Sequence, residues 1–170
     1  RRRDHRRIGR DLDLFHFDPH SPGSPLWHPR GMAIWNSLED LRRSENAHRG
    51  YLEVKTPLLY DVDLWKISGH WEKFRDDMFV IPGEGEAHTY SLKPMNCPGH
   101  MLLFGSQRRS YRELPIRYAE SSTLHRNELA GTLHGLMRVR HVTQDDAHIF
   151  CTMEQIEDEI FACLDYVDLL

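Results

Sequence analysis

The chain has 170 residues, 39% hydrophobic and 28% charged, with a formal net charge of -4. This is the composition of an ordinary globular domain with enough apolar mass for a core, and its acidic balance excludes a uniformly basic nucleic-acid coat while allowing a local basic patch. No run of 18 apolar residues suggests a membrane span, and three cysteines (Cys97, Cys151 and Cys163) argue for a reducing, cytoplasmic setting rather than a disulfide framework.

Residues 1–15 mix Arg, Asp and Leu and predict a short helix. No apolar stretch follows the charged start, so it does not read as a signal peptide. The stretch "FHFDPHSPGSPLWHPRG", with four prolines, reads as turns. Residues 31–49 place Ile34, Trp35, Leu38 and Leu41 at helical spacing, and Gly50 is a plausible stop. A strand is then expected up to Pro57, followed by a helical stretch around "VDLWKISG". "DMFVI" and "HTYSLKPMN" read as two strands joined by the turn "PGEGEA". Pro98 suits the first turn of a helix. Residues 113–128 and 136–150 read as two long strands joined by "LAGTLHG". The last stretch predicts an amphipathic helix, with Thr152 as N-cap and Gln155 completing a capping box. Hairpins separated by helices give an α+β domain with a largely antiparallel sheet. The first residue is not Met and the last ones look helical, so an internal piece of a longer chain is expected.

Taken at every second residue, 138–148 offers Arg138, Arg140, Val142, Gln144, Asp146 and His148. A strand alternates its side chains between faces, so these would share one face. Cys97, at a strand-to-helix junction, reads either as a small buried hydrophobe or as a ligand. With His148 it would supply the thiolate and imidazole that zinc favours, although a third ligand is needed and neither CxxC nor HExxH occurs. Arg126 and Arg138 could grip one polyphosphate across the hairpin. They could equally be surface arginines paired with Glu120, Glu128 or Asp145. His70 follows a glycine in a loop, where histidines are usually solvated. "QRRSYR" at 107–112 reads as a solvated helix end.

The segments "KPMNCPGH", "LPIRYAE", "LHRNE", "LHGLMRVR" and "TQDDAHIF" together resemble, in order and spacing, the threonyl-tRNA synthetases, a family of class II aminoacyl-tRNA synthetases. The resemblance covers essentially the whole chain. It implies a class II synthetase-like antiparallel sheet flanked by helices, with 1–170 forming the N-terminal part of a catalytic domain. Motif 1, used in dimerisation, would span about 31–57, and motif 2 about 115–150. Motif 3 and the anticodon-binding domain are not matched within the chain.

The implied activity is ATP-dependent conversion of threonine to threonyl-adenylate and its transfer to tRNA(Thr). In that scheme Arg126 binds the α-phosphate, Glu128 contacts adenine and Arg138 holds the γ-phosphate end. Val142 stands where the family places a phenylalanine that stacks on the base, and His141 where it has glycine. Met95, Gln144 and Asp146 contact threonine, and His70 serves transfer to tRNA. Cys97 and His148 would be two ligands of a zinc ion whose third lies outside this chain, and Mg2+ would accompany ATP. The implied partners are ATP, L-threonine and tRNA(Thr), in a homodimer. The alternative is a synthetase-like paralogue or binding module without aminoacylation activity. A zinc hydrolase is a further rival, but it would leave the phosphate-gripping arginines unexplained.

Overall fold

The computed structural model describes residues 3–83 and 88–169. Residues 84–87 of the turn expected at 82–87 lie outside the described residues.

Helix α1 (His5–Asp11) opens on Asp4, whose carboxylate accepts the Arg6 N–H at 3.0 Å. The proline-rich stretch is not all turn. It holds an antiparallel ribbon of β1 (Phe15–Phe17) and β2 (Pro25–Trp27). Strands of three residues are too short to show a period of two, and Pro25 is tolerated at a strand end.

Helix α2 (Pro29–His48) starts on proline and stops before Gly50, whose φ of +75° is the left-handed conformation that ends helices. Its helical spacing is as expected, but its packing is not. Leu38 is 62% exposed and Ile34 50%, whereas Arg42 and Asn46 are buried. The helix therefore meets the main sheet through its polar face, while Trp35 packs edge-on to Trp27 of β2.

A short sheet follows, together with the first strand of the main one. Strand β3 (Leu52–Glu53) precedes Pro57, and β4 (Leu59–Asp61) forms just after it. Strands β5 (Val80–Pro82) and β6 (Thr89–Leu92) complete an antiparallel sheet of order β4-β6-β5. Between β4 and β5 lie helices α3 (Asp63–Ile67) and α4 (His70–Phe74). The buried cluster Val62, Trp65 and Met78 joins this unit, with Tyr60, Trp71 and Met95 packed against it.

The main sheet has order β3-β7-β8. Strands β7 (Ile116–His125) and β8 (His141–Phe150) are antiparallel over all ten positions, from Ile116↔Phe150 to His125↔His141. Strand β3 pairs in parallel at the β7 edge. Thus β8 starts at His141, and not at Leu136 as the alternating pattern suggests. Gly135 (φ +51°) turns the chain just before the expected strand, His134 bridges Arg138, and the Arg140 N–H donates to Gly23 O at 2.7 Å. Arg138 and Arg140 consequently stand on a loop over 126–140.

Helix α5 (Cys97–Gly105) covers one face of this sheet, the front, while α2 lies against the back, where Asn46 donates to Asp145 at 3.2 Å and the Ser121 hydroxyl to Glu39 at 2.6 Å. Helix α6 (Ile156–Leu169) follows a short 3-10 turn in which Gln155 accepts the Thr152 N–H at 2.9 Å, as the capping box requires. Its buried Glu159 pairs with Arg117 of β7, while Ile160, Phe161, Leu164 and Val167 are exposed. No helix among the described residues is long and apolar enough to cross a membrane.

Candidate functional site

The register of the hairpin builds the front face in five rows: Leu124 beside Val142, Ser122 beside Gln144, Glu120 beside Asp146, Tyr118 beside His148 and Ile116 beside Phe150. Helix α5 can lie close to Thr56 and to Tyr60 of β4 because Gly99 has no side chain. A Cβ there would come within 2.5 Å of the Tyr60 hydroxyl. At its far end Phe104 stacks on Phe150, with ring centroids 4.0 Å apart.

Glu120 is the fixed point. It is fully buried and accepts from the Thr56 N–H (3.0 Å), the Thr56 hydroxyl (2.8 Å) and the Lys93 ammonium (3.2 Å), and its Oε2 lies 3.2 Å from His100 Nε2. Burial pushes the Glu120 carboxyl up. The hydrogen bonds from His100, Thr56 and Lys93 outweigh burial and bring the carboxyl down to about 2. For Lys93 the balance falls the other way, and burial lowers the ammonium despite Glu120. The pair remains ionic because several donors converge on one carboxylate.

Two side chains carry this order outward. Asn96, fully buried, accepts from the Ser122 hydroxyl at 2.8 Å and donates to Asp146 Oδ2 at 3.0 Å, which aims that carboxylate. His100 Nδ1 lies 2.8 Å from His148 Nδ1. Burial pushes the Cys97 thiol up, and the Asp146 charge adds to this. Burial pushes His148 down, with Asp146 opposing it. The structure thus gathers Cys97, Asp146 and His148 around one corner of the front face. Among the described residues no three His, Cys, Asp or Glu side chains form a ready metal site.

At the other end of β8 the side chains are held less firmly. Val142 is half-buried opposite Leu124. Arg126, just past β7, donates from Nε to Pro94 O at 3.2 Å. Arg138 is 55% exposed and pairs with Glu128 at 2.8 Å through both Nε and one terminal nitrogen. Of the two readings for these arginines, Arg138 therefore shows the carboxylate pair.

His70 is the first residue of α4 and not a loop residue. Its Nδ1 is 2.8 Å from the Ser68 hydroxyl, and its ring stands edge-on to Trp65. Met95 packs on the same Trp65 cluster. Of the basic run at 107–112, Arg109 is no solvated end. It donates to the Tyr118 hydroxyl at 2.8 Å.

The sequence reading misses Lys93, Asn96, His100 and Glu120 as parts of the site. A signal existed for two of them. His100 follows Cys97 by three residues, one helical turn, and Glu120 shares the β7 face of Ser122. A cleft of about 520 Å³ is elsewhere. It lies on the back face among Glu39, Asp40, Arg43, Lys55 and Thr123.

Residues 79–170 match the family described as tRNA synthetase class II core domain (G, H, P, S and T). The threonine–tRNA ligase of Paracidovorax citrulli is 54% identical over 99% of this chain, which covers 26% of that protein. The chain spans about a quarter of the length of the curated relatives it matches. A crystal structure of the RNA binding domain of threonyl-tRNA synthetase from Cryptosporidium parvum superposes with a TM-score of 0.94 at 49% identity, over 98% of this chain and 42% of that one. Giardia lamblia prolyl-tRNA synthetase, solved with prolyl-adenylate, superposes at 0.85 and 22% identity over 95% and 34% of the two chains, a likeness of fold alone.

Proposed function

The chain belongs to the tRNA synthetase class II core domain family (G, H, P, S and T), and on that premise we propose that it forms part of the catalytic core of a threonine–tRNA ligase. The reaction is activation of threonine by ATP and transfer of the threonyl group to tRNA(Thr). One observation carries the reading: the corner where Asn96 aims Asp146 and where Cys97 and His148 stand beside it.

The donor set fits zinc. It offers a thiol, an imidazole with one nitrogen already engaged by a buried partner, and a carboxylate whose charge favours a cation. Cys97 and His148 would be ligands, with a third outside this chain. Bound there, zinc would supply a Lewis acid that makes a hydroxyl on the amino acid a condition of binding, since a purely apolar pocket rejects valine poorly.

The remaining steps are assigned to side chains. Asp146 accepts the threonine hydroxyl proton in a hydrogen bond, Gln144 binds the same substrate, and Met95 closes the pocket. Val142 faces adenine and Glu128 contacts it. A threonine carboxylate oxygen attacks the α-phosphorus, the bond to the bridging oxygen breaks and pyrophosphate leaves. Arg126 neutralises charge at the α-phosphate, and Arg138, freed from Glu128, holds the γ end, with Mg2+ accompanying the nucleotide. His70 acts in transfer to tRNA. The 31–57 and 115–150 segments are assigned as motifs 1 and 2, and the exposed Ile34, Leu38 and Leu41 of α2 support a homodimer. The assigned compartment is the cytoplasm.

Threonine-dependent ATP–pyrophosphate exchange by the full-length gene product tests the proposal. We expect exchange with threonine and a rate with valine lower by about 100-fold or more. Valine here stands in for threonine without its hydroxyl. An absence of threonine-dependent exchange would favour the second reading, a synthetase-like paralogue, which Val142 in place of a stacking ring supports.

A further inference from the structure

His148 lies at the end of a buried chain of contacts that engages its Nδ1. Glu120 is fully buried and already accepts two hydrogen bonds from Thr56 and one from Lys93. As a carboxylate it can only accept, so His100 Nε2, 3.2 Å away, must be the donor. With its Nε2–H directed at Glu120, His100 turns its Nδ1 toward His148 Nδ1, 2.8 Å away, and one hydrogen lies between the two nitrogens. A metal on His148 Nε2 requires that His148 supply that hydrogen and that His100 Nδ1 accept it.

We propose that His100 is a positioning residue which, backed by Glu120, holds His148 in the Nδ1–H tautomer and so presents its Nε2 as a metal ligand. The inference rests on the zinc reading of the proposed function. It adds to that reading a residue that touches neither substrate nor metal. The ring orientation is set as well, because His100 and His148 meet edge to face, at 82° with centroids 4.7 Å apart. His100 is itself wedged edge-on against Tyr118. A ligand histidine whose second nitrogen is fixed by a buried acceptor is both better oriented and more basic than one facing water. The order Glu120, His100, His148 thus extends a rigid buried carboxylate to the surface of the site.

Two substitutions of nearly equal shape separate this role from simple packing. In His100→Asn the amide oxygen takes the place of Nδ1 and can still accept from His148. In His100→Leu the shape is kept and the acceptor is lost. Both lose the contact with Glu120 and leave similar space. Zinc affinity of the full-length protein is measured by competition with a chelator, with ATP affinity as the check on folding. We expect His100→Leu to weaken zinc binding by about 10- to 100-fold and His100→Asn by no more than about 3-fold, with ATP affinity unchanged in both.

Equal losses in the two variants, or none in His100→Leu, overturn the inference. If His100→Leu does not fold, the Asn variant decides alone, and a loss of about 10-fold or more there overturns the inference. Cys97→Ser keeps the two levels apart. If the unaltered protein holds no zinc, or Cys97→Ser holds it equally well, the metal reading falls and the inference with it. If Cys97→Ser loses zinc while His100→Leu keeps it, only the role of His100 is overturned.

Discussion

The two ends of β8 are built differently. At the Asp146–His148 end Asp146 and His148 have partners within the fold, and the residues behind them are themselves buried: Asn96, His100, Lys93, Glu120 and Ser122. At the His141–Val142 end the supports lie on the 126–140 loop. There Arg138 is paired with a carboxylate at the surface, and Leu129 and Met137 are more than 70% exposed. In the proposed reaction the first end takes the amino acid and the second the nucleotide. The contrast teaches where selectivity resides. A site that must tell threonine from an isostere cannot afford loose donors, whereas a phosphate clamp can close on its ligand, as Arg138 would by exchanging Glu128 for a phosphate.

The largest effect that would break this contrast is at Glu120. Glu120→Gln leaves Lys93 buried without its counter-ion and should cost about 3–5 kcal/mol of stability, measured by urea denaturation. A loss below about 1 kcal/mol would mean that the front face is not organised around this carboxylate. The same group sets an acid limb. Its folded value lies near 2 against an ordinary 4.5, so it stays ionised in the fold where the unfolded chain is protonated. Its contribution is fully present above about pH 4.5 and is lost as pH falls toward 2, a loss on the order of 3 kcal/mol. A stability profile that is flat across this window would contradict the assignment.

Asn96→Ala comes next. It removes the group that aims Asp146 and leaves a buried Ser122 hydroxyl unpaired, at about 1–3 kcal/mol of stability. Under the proposed function KM for threonine rises while KM for ATP does not. An equal rise in both would show that the two ends are not independent.

The nucleotide end can be sharpened. Val142→Phe adds a ring where the family places one, and base stacking is worth about 1–3 kcal/mol, so KM for ATP should fall by about 5-fold or more with KM for threonine unchanged. No change would mean that Val142 does not face the base. Arg138→Ala is the smallest in stability, within about 1 kcal/mol because its pair is exposed, yet it should weaken ATP binding. Denaturation and ATP titration on the same variant separate the two effects.

Much of this was legible in the residues. Val142, Gln144, Asp146 and His148 do share a strand face, because a period of two needs only the strand. The strand's start was not legible. "LHGLMRVR" alternates well enough, but Gly135 takes a left-handed turn, and the chain after it is held by contacts distant in sequence, Leu136 to His5 and Arg140 to Gly23. Helix α2 shows the same limit. Its apolar spacing predicts the helix correctly, while its buried side is the polar one, since Arg42 and Asn46 meet Asp145 across the back of the sheet. The buried network escaped for a related reason. Lys93, Glu120 and His100 are residue types that normally sit in water, and only the approach of α5 to the hairpin shows them satisfying one another.

Hydrogen–deuterium exchange on the full-length protein, with and without ATP, tests the contrast most directly. The account predicts that, without ligand, backbone amides of 93–100 and 116–124 exchange far more slowly than those of 126–140, and that ATP slows the 126–140 loop alone. Equal protection of the two regions before ATP, or slowing centred on 93–100, would contradict it.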